Sequence, residues 1–231
     1  MATAITVEFY KQYPHLLKSP FLEIGSLIDS SYIQYSPRDM QHVADEDEYL
    51  GIDIFDGEGV DLVLDLAKAS FEDLKQYKNK FNTVHIHYVM EHVLDVFKIA
   101  QNIDYITKPG GTVCLSVPFV WRLHRIPVDM WRLTPQSVDY LFPNYNFKDE
   151  NCGWSTRRHK ILPINEVYEL DLGSGLEKLN PIMRNTIKLF RKFKLDHNFF
   201  SERALIPELN LMMIGIKQET ATYNFIPAQY L

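Results

Sequence analysis

Short apolar runs that end in Gly, Asp or Pro constrain the fold of this 231-residue chain most strongly. Each run is too brief for a helix, and an unbroken apolar run is typical of a strand buried on both faces of a parallel sheet. We therefore predict strands at about 20–25, 49–54, 60–64, 83–87 and 112–117, followed by a sixth at 145–154 and a last one at 208–217.

Residues 91–106, between the fourth and fifth predicted strands, carry apolar side chains at helical spacing and precede the sequence KPGG at 108–111. A Pro-Gly stop of this kind is typical of a helix end. A strand, a crossover helix and another strand form a βαβ unit, so the predicted fold class is α/β, a doubly wound sheet with helices on both faces. Further helices are predicted at about 5–18, where the helix can act as a lid, and at 134–142 and 179–194.

The composition, with 46% hydrophobic and 23% charged residues, is that of a soluble globular protein. We expect a single domain over residues 1–231 that carries an insertion at about 155–207. The longest apolar stretches fall far short of the roughly 20 residues of a membrane span, and the first residues lack a secretory pattern, so we expect a cytoplasmic protein. The formal charge of -6 disfavours nucleic acid as a partner. Both cysteines are expected to be buried thiols.

The first two predicted strands end in side chains that suit a nucleotide-like ligand. FLEIGSL places Glu23 and Gly25 at the carboxyl end of the first strand, where doubly wound sheets bind ligands and where glycine permits close backbone approach. YLGID ends the second strand in Asp53, a position from which a carboxylate can accept both ribose hydroxyls. Because Gly25 is the only glycine of a G-x-G-x-x-G pattern present here, we expect a ligand with a ribose and without a diphosphate.

Five segments in this order resemble the class I S-adenosylmethionine (SAM)-dependent methyltransferases, in the branch called methyltransferase type 11. They are LEIGS (22–26), YLGIDIFDGEGVDLVLDL (49–66), YVMEHV (88–93), KPGG (108–111) and VPFVWRLHRIPVDMWRLTP (117–135). The resemblance implies a Rossmann-like sheet of seven strands, mostly parallel with one antiparallel strand. It also implies SAM as the cofactor, bound over the strand ends.

The resemblance assigns cofactor-binding roles to eight residues. Glu23 matches the acid that orients the methionine portion of SAM, and Gly25 with Ser26 matches the turn beneath it. The positions that match the adenosine contacts are Asp53 for the ribose, Ile54 beside the adenine, and Asp65 with Leu66 at the adenine amino group. His87 ends the fourth strand, facing the methyl donor.

Methyl transfer is an in-line displacement at a sulfonium methyl, so the protein aligns an acceptor and usually removes its proton. Histidine suits this role because its ordinary pKa is about 6.5. The first candidate is His124 in the loop after the fifth strand, and His87 and His92 are the others. We expect His85 and His87 to point to opposite faces of the fourth strand, with His85 packed in the core.

The pair Glu91-His92 offers an alternative, a divalent cation beside the cofactor. Relatives that bind a metal here carry an acid three residues before the Glu, where this chain has Tyr88. Because few hard ligands remain, we expect no metal site. Alternatively, Glu91 has only a structural role, as a favourable acid in the first turn of a helix.

The loop after the fifth strand carries side chains suited to an acceptor. Either Arg132 pairs with Asp129 while Trp131 packs beneath the loop, or an aromatic and basic wall forms from Trp121, Arg122, Arg125 and Trp131. The insertion is expected to cover the acceptor pocket, with Arg157, Arg158 and His159 meeting an anionic group. The tail after Gln218 is expected to pack on the body or on a second subunit in a homodimer.

The leading hypothesis is SAM-dependent O-methylation of a sugar, a glycan or another small polar acceptor. One alternative is methylation of RNA, protein or a phenol. Another is a noncatalytic binding module with the same fold, which the missing second glycine suggests.

Overall fold

The computed structural model describes residues 3–28, 35–40, 47–124, 128–156, 160–165, 208–221 and 223–226, together with positions 181–182, 185–186, 189 and 229. The strands are β1 (Phe21–Ile24), β2 (Tyr49–Asp53), β3 (Leu62–Val63), β4 (Phe81–His87), β5 (Thr107–Val120), β6 (Tyr145–Asn146), β7 (Cys152–Thr156), β8 (Ile161–Pro163) and β9 (Leu209–Lys217). The helices are α1 (Ala4–Tyr10), α2 (Val96–Ile106) and α3 (Pro135–Leu141).

Within these residues the strands form one sheet in the order β3-β2-β1-β4-β5-β9-β7-β8, with β6 also pairing β9. The pairs from β3 to β5 are parallel, and β9 runs antiparallel to β5. The predicted doubly wound α/β class is confirmed, and the strand order reverses between β1 and β4, the point at which such sheets bind ligands.

The predicted count of seven strands is wrong, since nine strands lie within the described residues. The predicted sixth strand divides into β6 and β7 because a short 3-10 turn at Asp149–Asn151 interrupts the pairing with β9. β8 is an additional strand that pairs antiparallel with β7. Two strands, β8 and β9, therefore run against the parallel direction, where one was expected.

Local chemistry explains where two helices begin and end. α1 ends at Tyr10, well before the predicted position 18, and Pro14, which has no N–H to donate, starts a separate 3-10 turn. α2 begins at Val96 and not at position 91, because the Asp95 carboxylate caps it by accepting from the Lys98 N–H at 2.9 Å. Met90–His92 form a 3-10 turn instead.

Both faces of the sheet are covered. On one face α2 presents a buried stripe, Val96, Ile99, Ala100, Ile103 and Ile106, to the larger core cluster. On the other face α1 packs Phe9 and Tyr10 against side chains of β5 and β9. Cys114 and Cys152 are free and buried, as expected.

The remaining predictions concern the membrane, the insertion and the tail. Among the described residues no helix has the length and apolar character that crossing a bilayer requires. Most of the predicted insertion and helix 179–194 lies outside the described residues, although positions 181–182, 185–186 and 189 are helical. The described tail packs on the body, since the N–H groups of Asn224 and Phe225 donate to the Asp139 carboxylate of α3 at 2.5 and 2.7 Å.

Candidate functional site

The carboxyl end of β1 presents a buried carboxylate with one unpaired oxygen. Glu23 is 2% exposed, and its Oε2 accepts from the Ser36 hydroxyl at 2.8 Å and from the Tyr49 hydroxyl. Its Oε1 has no hydrogen-bond partner among the described residues. Burial raises the pKa of the Glu23 carboxyl even though both hydroxyl donors oppose the shift. A ligand with an ammonium group would supply the missing partner.

The turn after β1 depends on glycine. Gly25 has a φ of +79°, and a Cβ on it would lie 2.4 Å from Cγ2 of Val89, so this turn directly contacts the segment after β4. The N–H groups of Gly25 and Ser26 both donate to the Ile52 carbonyl, at 2.9 and 3.1 Å. The buried Ser26 hydroxyl has no partner among the described residues.

The Asp53 carboxylate joins the ends of β1 and β2. Its Oδ2 accepts from the Leu27 N–H at 3.2 Å, and its Oδ1 accepts from the Phe55 N–H at 3.1 Å. Each oxygen retains a further lone pair, so this partly exposed carboxylate can also accept two ligand hydroxyls. Next to it, Ile54 and Phe55 are 49% and 58% exposed, an apolar surface that suits the face of a flat ring.

The two residues predicted after β3 have different environments. Asp65 lies at the surface, where its Oδ1 accepts from the Ala67 N–H at 3.1 Å and its Oδ2 pairs with Lys68 at 2.8 Å. Leu66 is 2% exposed, and its side chain packs in the core. The Leu66 carbonyl also accepts from the Asn102 side-chain amide at 2.7 Å, so of these two residues it is the partly exposed Asp65 carboxylate that can contact a ligand.

His85 and His87 lie together in a buried polar network. Nε2 of His87 is 3.1 Å from Nδ1 of His85, and Nδ1 of His87 is 3.2 Å from the Ser116 hydroxyl. The expectation that the two rings point to opposite faces is wrong, because residues two apart in a strand share a face. Tyr10 of α1 covers them, with its ring centroid 4.9 Å from that of His87. Burial lowers the pKa of His87 well below its ordinary value, so the ring is neutral at pH 7.

Tyr88, directly after β4, is held in an uncommon conformation. Its φ is +55°, in the left-handed region that non-glycine residues rarely adopt. Its hydroxyl lies 3.1 Å from the Thr6 hydroxyl of α1, and its N–H donates to the Ser116 carbonyl at 2.8 Å. These bonds, together with the Tyr10 hydroxyl donating to the Leu115 carbonyl at 2.6 Å, fix α1 over the ends of β4 and β5.

Glu91, His92 and His124, which we call the Glu91 cluster, meet at the carboxyl ends of β4 and β5. One ligand-capable atom from each of the three lies within 4.8 Å of the others. Glu91 is 1% exposed, and neither of its carboxylate oxygens accepts a hydrogen bond from another described residue. Burial raises the pKa of Glu91 to about 7. The His92 and His124 rings stand edge to face with their centroids 5.0 Å apart.

The loop after β5 is fastened to the turn that carries Glu91. Nδ1 of His92 donates to the Val128 carbonyl, and the Met130 N–H donates to the Glu91 carbonyl at 2.7 Å. The Trp131 indole N–H donates to the carbonyl of Val93, directly after this turn, at 2.7 Å. Since a carbonyl only accepts, the His92 proton sits on Nδ1 in the neutral ring and Nε2 carries the lone pair.

Asp129 orders the other half of this loop. As predicted, it pairs with Arg132, whose Nη1 donates to Oδ1 and whose Nη2 donates to Oδ2 at 2.7 Å. Oδ2 also accepts from the His124 N–H at 2.9 Å and lies 3.2 Å from Nδ1 of the same residue. The guanidinium holds the pKa of the Asp129 carboxyl well below its ordinary range. Trp131 packs beneath the loop against the core.

Four residues predicted to contact the acceptor, Arg125, Arg157, Arg158 and His159, lie outside the described residues. Sequence reasoning missed Tyr10, which the structure buries against His87. The meeting of all three members of the Glu91 cluster was also missed. Neither the Tyr10–His87 contact nor the Glu91 cluster can be read from the spacing of nearby residues, because each joins segments that are far apart in the chain.

Comparison with solved structures identifies the architecture, although no protein-family model and no curated protein matches the chain. A SAM-dependent methyltransferase from Archaeoglobus fulgidus aligns with a TM-score of 0.50 and 15% identity, over 92% of this chain and 93% of that one. The [4+2]-cyclase SpnF aligns with a TM-score of 0.50 and 12% identity, over 93% of this chain and 80% of that one.

A phosphoethanolamine N-methyltransferase of Haemonchus contortus aligns with a TM-score of 0.49 and 14% identity, over 93% of this chain and 52% of that one. The chain thus spans about half the length of that enzyme.

Structural similarity at 12–15% sequence identity establishes the fold and not the function. A cyclase and a methyltransferase align equally well, so the fold alone does not set the reaction. The reversal of strand order between β1 and β4 and the antiparallel β9 beside β5 agree with the sheet that the sequence resemblance implied. The chain has the fold of the class I SAM-dependent methyltransferases.

Proposed function

We propose that the protein is a SAM-dependent methyltransferase that binds its cofactor across the carboxyl ends of β1, β2 and β4. The observation that carries this proposal is the set of polar groups at that edge that are unpaired or partly exposed. Glu23 Oε1 and the Ser26 hydroxyl are buried without partners among the described residues, and the Asp53 carboxylate is partly exposed beside them. Each coincides with a position that the family motifs assign to SAM.

The polar and apolar groups at this edge match the hydrogen-bonding and apolar parts of SAM that they would contact. Glu23 would accept from the methionine ammonium, which would offset the cost of keeping this carboxylate charged when it is buried. Asp53 would accept from the ribose hydroxyls, and the exposed Ile54 would lie against the adenine. Asp65, next to the buried Leu66, would accept from the adenine amino group, and Gly25 lets the cofactor approach the turn.

The bound cofactor supplies an electrophilic methyl group on a sulfonium. The chain's own contribution is then to position an acceptor in line and to take its proton. We assign the removal of the acceptor's proton to the Glu91 cluster, with His124 as the first candidate base and His92 as the second. Burial lowers the pKa of His92, which keeps its Nε2 lone pair available at neutral pH. We assign His87, whose ring nitrogens both lie in the buried network, to supporting the cofactor edge.

The acceptor class is proposed from the loop after β5. Trp121 is partly exposed and Arg122 is exposed, which suits stacking on a sugar face and bonding to a charged substituent. We therefore propose O-methylation of a sugar, a glycan or a similar small polar molecule in the cytoplasm. We also propose that the protein forms a homodimer.

Calorimetric titration with S-adenosylhomocysteine tests cofactor binding, and a screen of acceptors with labelled SAM and mass detection tests transfer. Saturable binding together with a mass increase of one methyl group on a polar acceptor is the expected result. Absence of saturable binding would refute the proposal and favour a noncatalytic module. Saturable cofactor binding together with conversion of a substrate that gains no methyl group would favour a reaction of another kind, as in the cyclase that shares this fold.

A further inference from the structure

We propose that the Glu91 cluster binds a divalent transition-metal cation of the zinc type at the ends of β4 and β5. This reverses the expectation from the sequence that no metal is held. The expectation rested on Tyr88 occupying the position of a fourth ligand, whereas the structure brings three ligand atoms together without it. Metal binding is independent of the proposed function, and only its catalytic consequence rests on that function.

Glu91 provides the strongest argument. A carboxylate that is 1% exposed and accepts no hydrogen bond from any other described residue is costly to bury. Buried charges in proteins are paired or coordinate metals. Nε2 of His92, which carries a lone pair, lies 3.8 Å from Oε1, so the carboxylate faces another electron-pair donor. A cation between the two satisfies both groups.

His92 is prepared as a metal ligand. Its Nδ1–H donates to the Val128 carbonyl, which fixes the ring orientation and leaves Nε2 deprotonated. Metal-binding histidines usually donate their other ring N–H to a carbonyl or carboxylate in this way. The Met130 N–H, bonded to the Glu91 carbonyl at 2.7 Å, holds the loop and the turn in register.

His124 supplies the third ligand. Its backbone N–H is fixed by Asp129, and Nδ1 lies 3.2 Å from the Asp129 carboxylate without being aligned for a hydrogen bond. A ring orientation in which Nδ1–H donates to Asp129 would leave Nε2 for the cation. Arg132 holds the Asp129 carboxylate in place for this contact.

The dimensions suit a metal of this class. Ligands about 2.0–2.2 Å from zinc lie roughly 3.3–3.6 Å apart at a tetrahedral angle. The Glu91–His92 separation of 3.8 Å therefore needs to shorten by only a few tenths of an ångström. The partly exposed His124 ring can close the widest separation, which is at most 4.8 Å. Two imidazoles and one carboxylate favour a transition metal over Mg²⁺ or Ca²⁺, which prefer oxygen ligands.

Three protein ligands leave a coordination position open. If the proposed methyl transfer is correct, an acceptor hydroxyl bound there would lose its proton to solvent at a lowered pKa. The acceptor oxygen would then form its bond to the methyl carbon while the electrons of the S–CH₃ bond return to sulfur. The histidines would act as ligands in this case and not as bases.

The test uses full-length protein that has been stripped with a chelator and titrated with Zn²⁺ against a chromophoric competitor, in parallel with Co²⁺ absorption spectra. We expect one Zn²⁺ per chain and Co²⁺ spectra typical of four or five ligands. Glu91→Gln removes one ligand charge with little change in shape, and we expect it to weaken Zn²⁺ binding at least 100-fold. His15→Ala is the matched control, because His15 is exposed near Asn82 at the start of β4.

Thermal melts of the metal-free proteins separate loss of a ligand from loss of the fold. Glu91→Gln replaces a buried unpaired charge with a neutral group, so its apo melting temperature should equal or exceed that of the wild type. Zn²⁺ should then raise the melting temperature of the wild type and not that of the variant. Failure to bind Zn²⁺ stoichiometrically, or equal binding by Glu91→Gln and wild type, would overturn the proposal.

Failure of the metal proposal and failure of the proposed function are distinguishable. Zn²⁺ titration needs neither SAM nor an acceptor, and S-adenosylhomocysteine titration needs no metal. Chelated protein that binds S-adenosylhomocysteine normally but transfers no methyl group until Zn²⁺ is restored would support both proposals. Zn²⁺ binding without cofactor binding would support the metal site and refute the proposed methyltransferase function.

Discussion

Asp53→Ala is the most informative single substitution for the cofactor site, because the same carboxylate supports two loops and is assigned to the ribose. Charge-assisted hydrogen bonds contribute about 1.5–3 kcal/mol each, and the partial exposure of Asp53 favours the lower value. Loss of two bonds to the ribose hydroxyls should then cost about 3 kcal/mol, or roughly 100-fold in the Kd for S-adenosylhomocysteine.

The substitution should also affect stability, for a separate reason. The Leu27 and Phe55 N–H groups lose their carboxylate partner. Phe55 is exposed, so water can replace part of this loss, and we expect a cost of about 1–2 kcal/mol, which lowers Tm by about 2–4 °C per kcal/mol in a chain of this size. Asp53→Ala should therefore remain folded at 25 °C.

Calorimetric titration with S-adenosylhomocysteine, paired with thermal melts, measures both effects. Asp56→Ala, three residues further along at an exposed position, is the matched control and should change neither quantity. A Kd for Asp53→Ala within about threefold of the wild-type value, with the fold intact, would remove this carboxylate from the site and refute the reasoning.

The remaining predictions concern the loop after β5 and the tail. His124→Ala should lower turnover by about 10²–10⁴ while S-adenosylhomocysteine affinity stays within error, and equal turnover would move the assignment to another group. Arg132→Ala removes the guanidinium partner of Asp129. Because the Arg132 side chain is 28% exposed, water can replace part of the loss, so the variant should cost about 1.5–3 kcal/mol in urea unfolding, which Arg132→Lys should partly recover. Asp139→Ala removes the acceptor for two tail N–H groups and should speed proteolysis near 224–225, and unchanged cleavage would contradict the docking seen here.

The parallel half of the fold could be predicted because its signals are local. Runs such as 49–53 end in turn residues, and Pro135 after Thr134 marks the start of α3, where the structure has a capping box. The misplaced start of α2 shows the limit of periodicity, since the apolar pattern extends back from position 96 while the Asp95 cap decides where the helix begins. The error over His85 and His87 was avoidable, because strand period alone places them on one face.

The arrangement of the Glu91 cluster could not be predicted from spacing. It depends on the bond between His92 and the Val128 carbonyl, 36 residues apart in the chain. Glu91 and His124 were each recognised as chemically suitable, but only the return of the β5 loop onto the turn after β4 brings their ligand atoms together. A tertiary contact of this kind leaves no periodic trace in either segment.

The insertion of β9 beside β5 has a consequence for biosynthesis. β5 lies in the middle of the finished sheet, yet the strand that completes its second edge begins about 90 residues after β5 ends. At about 5–20 residues per second, the ribosome needs roughly 5–18 s to deliver that partner. During this interval the nascent chain carries an open strand edge with apolar side chains, such as Val113 and Leu115, that are fully buried in the folded protein. The growing polypeptide is therefore expected to engage a holding chaperone at this stage, and to be released when residues 209–217 emerge and pair.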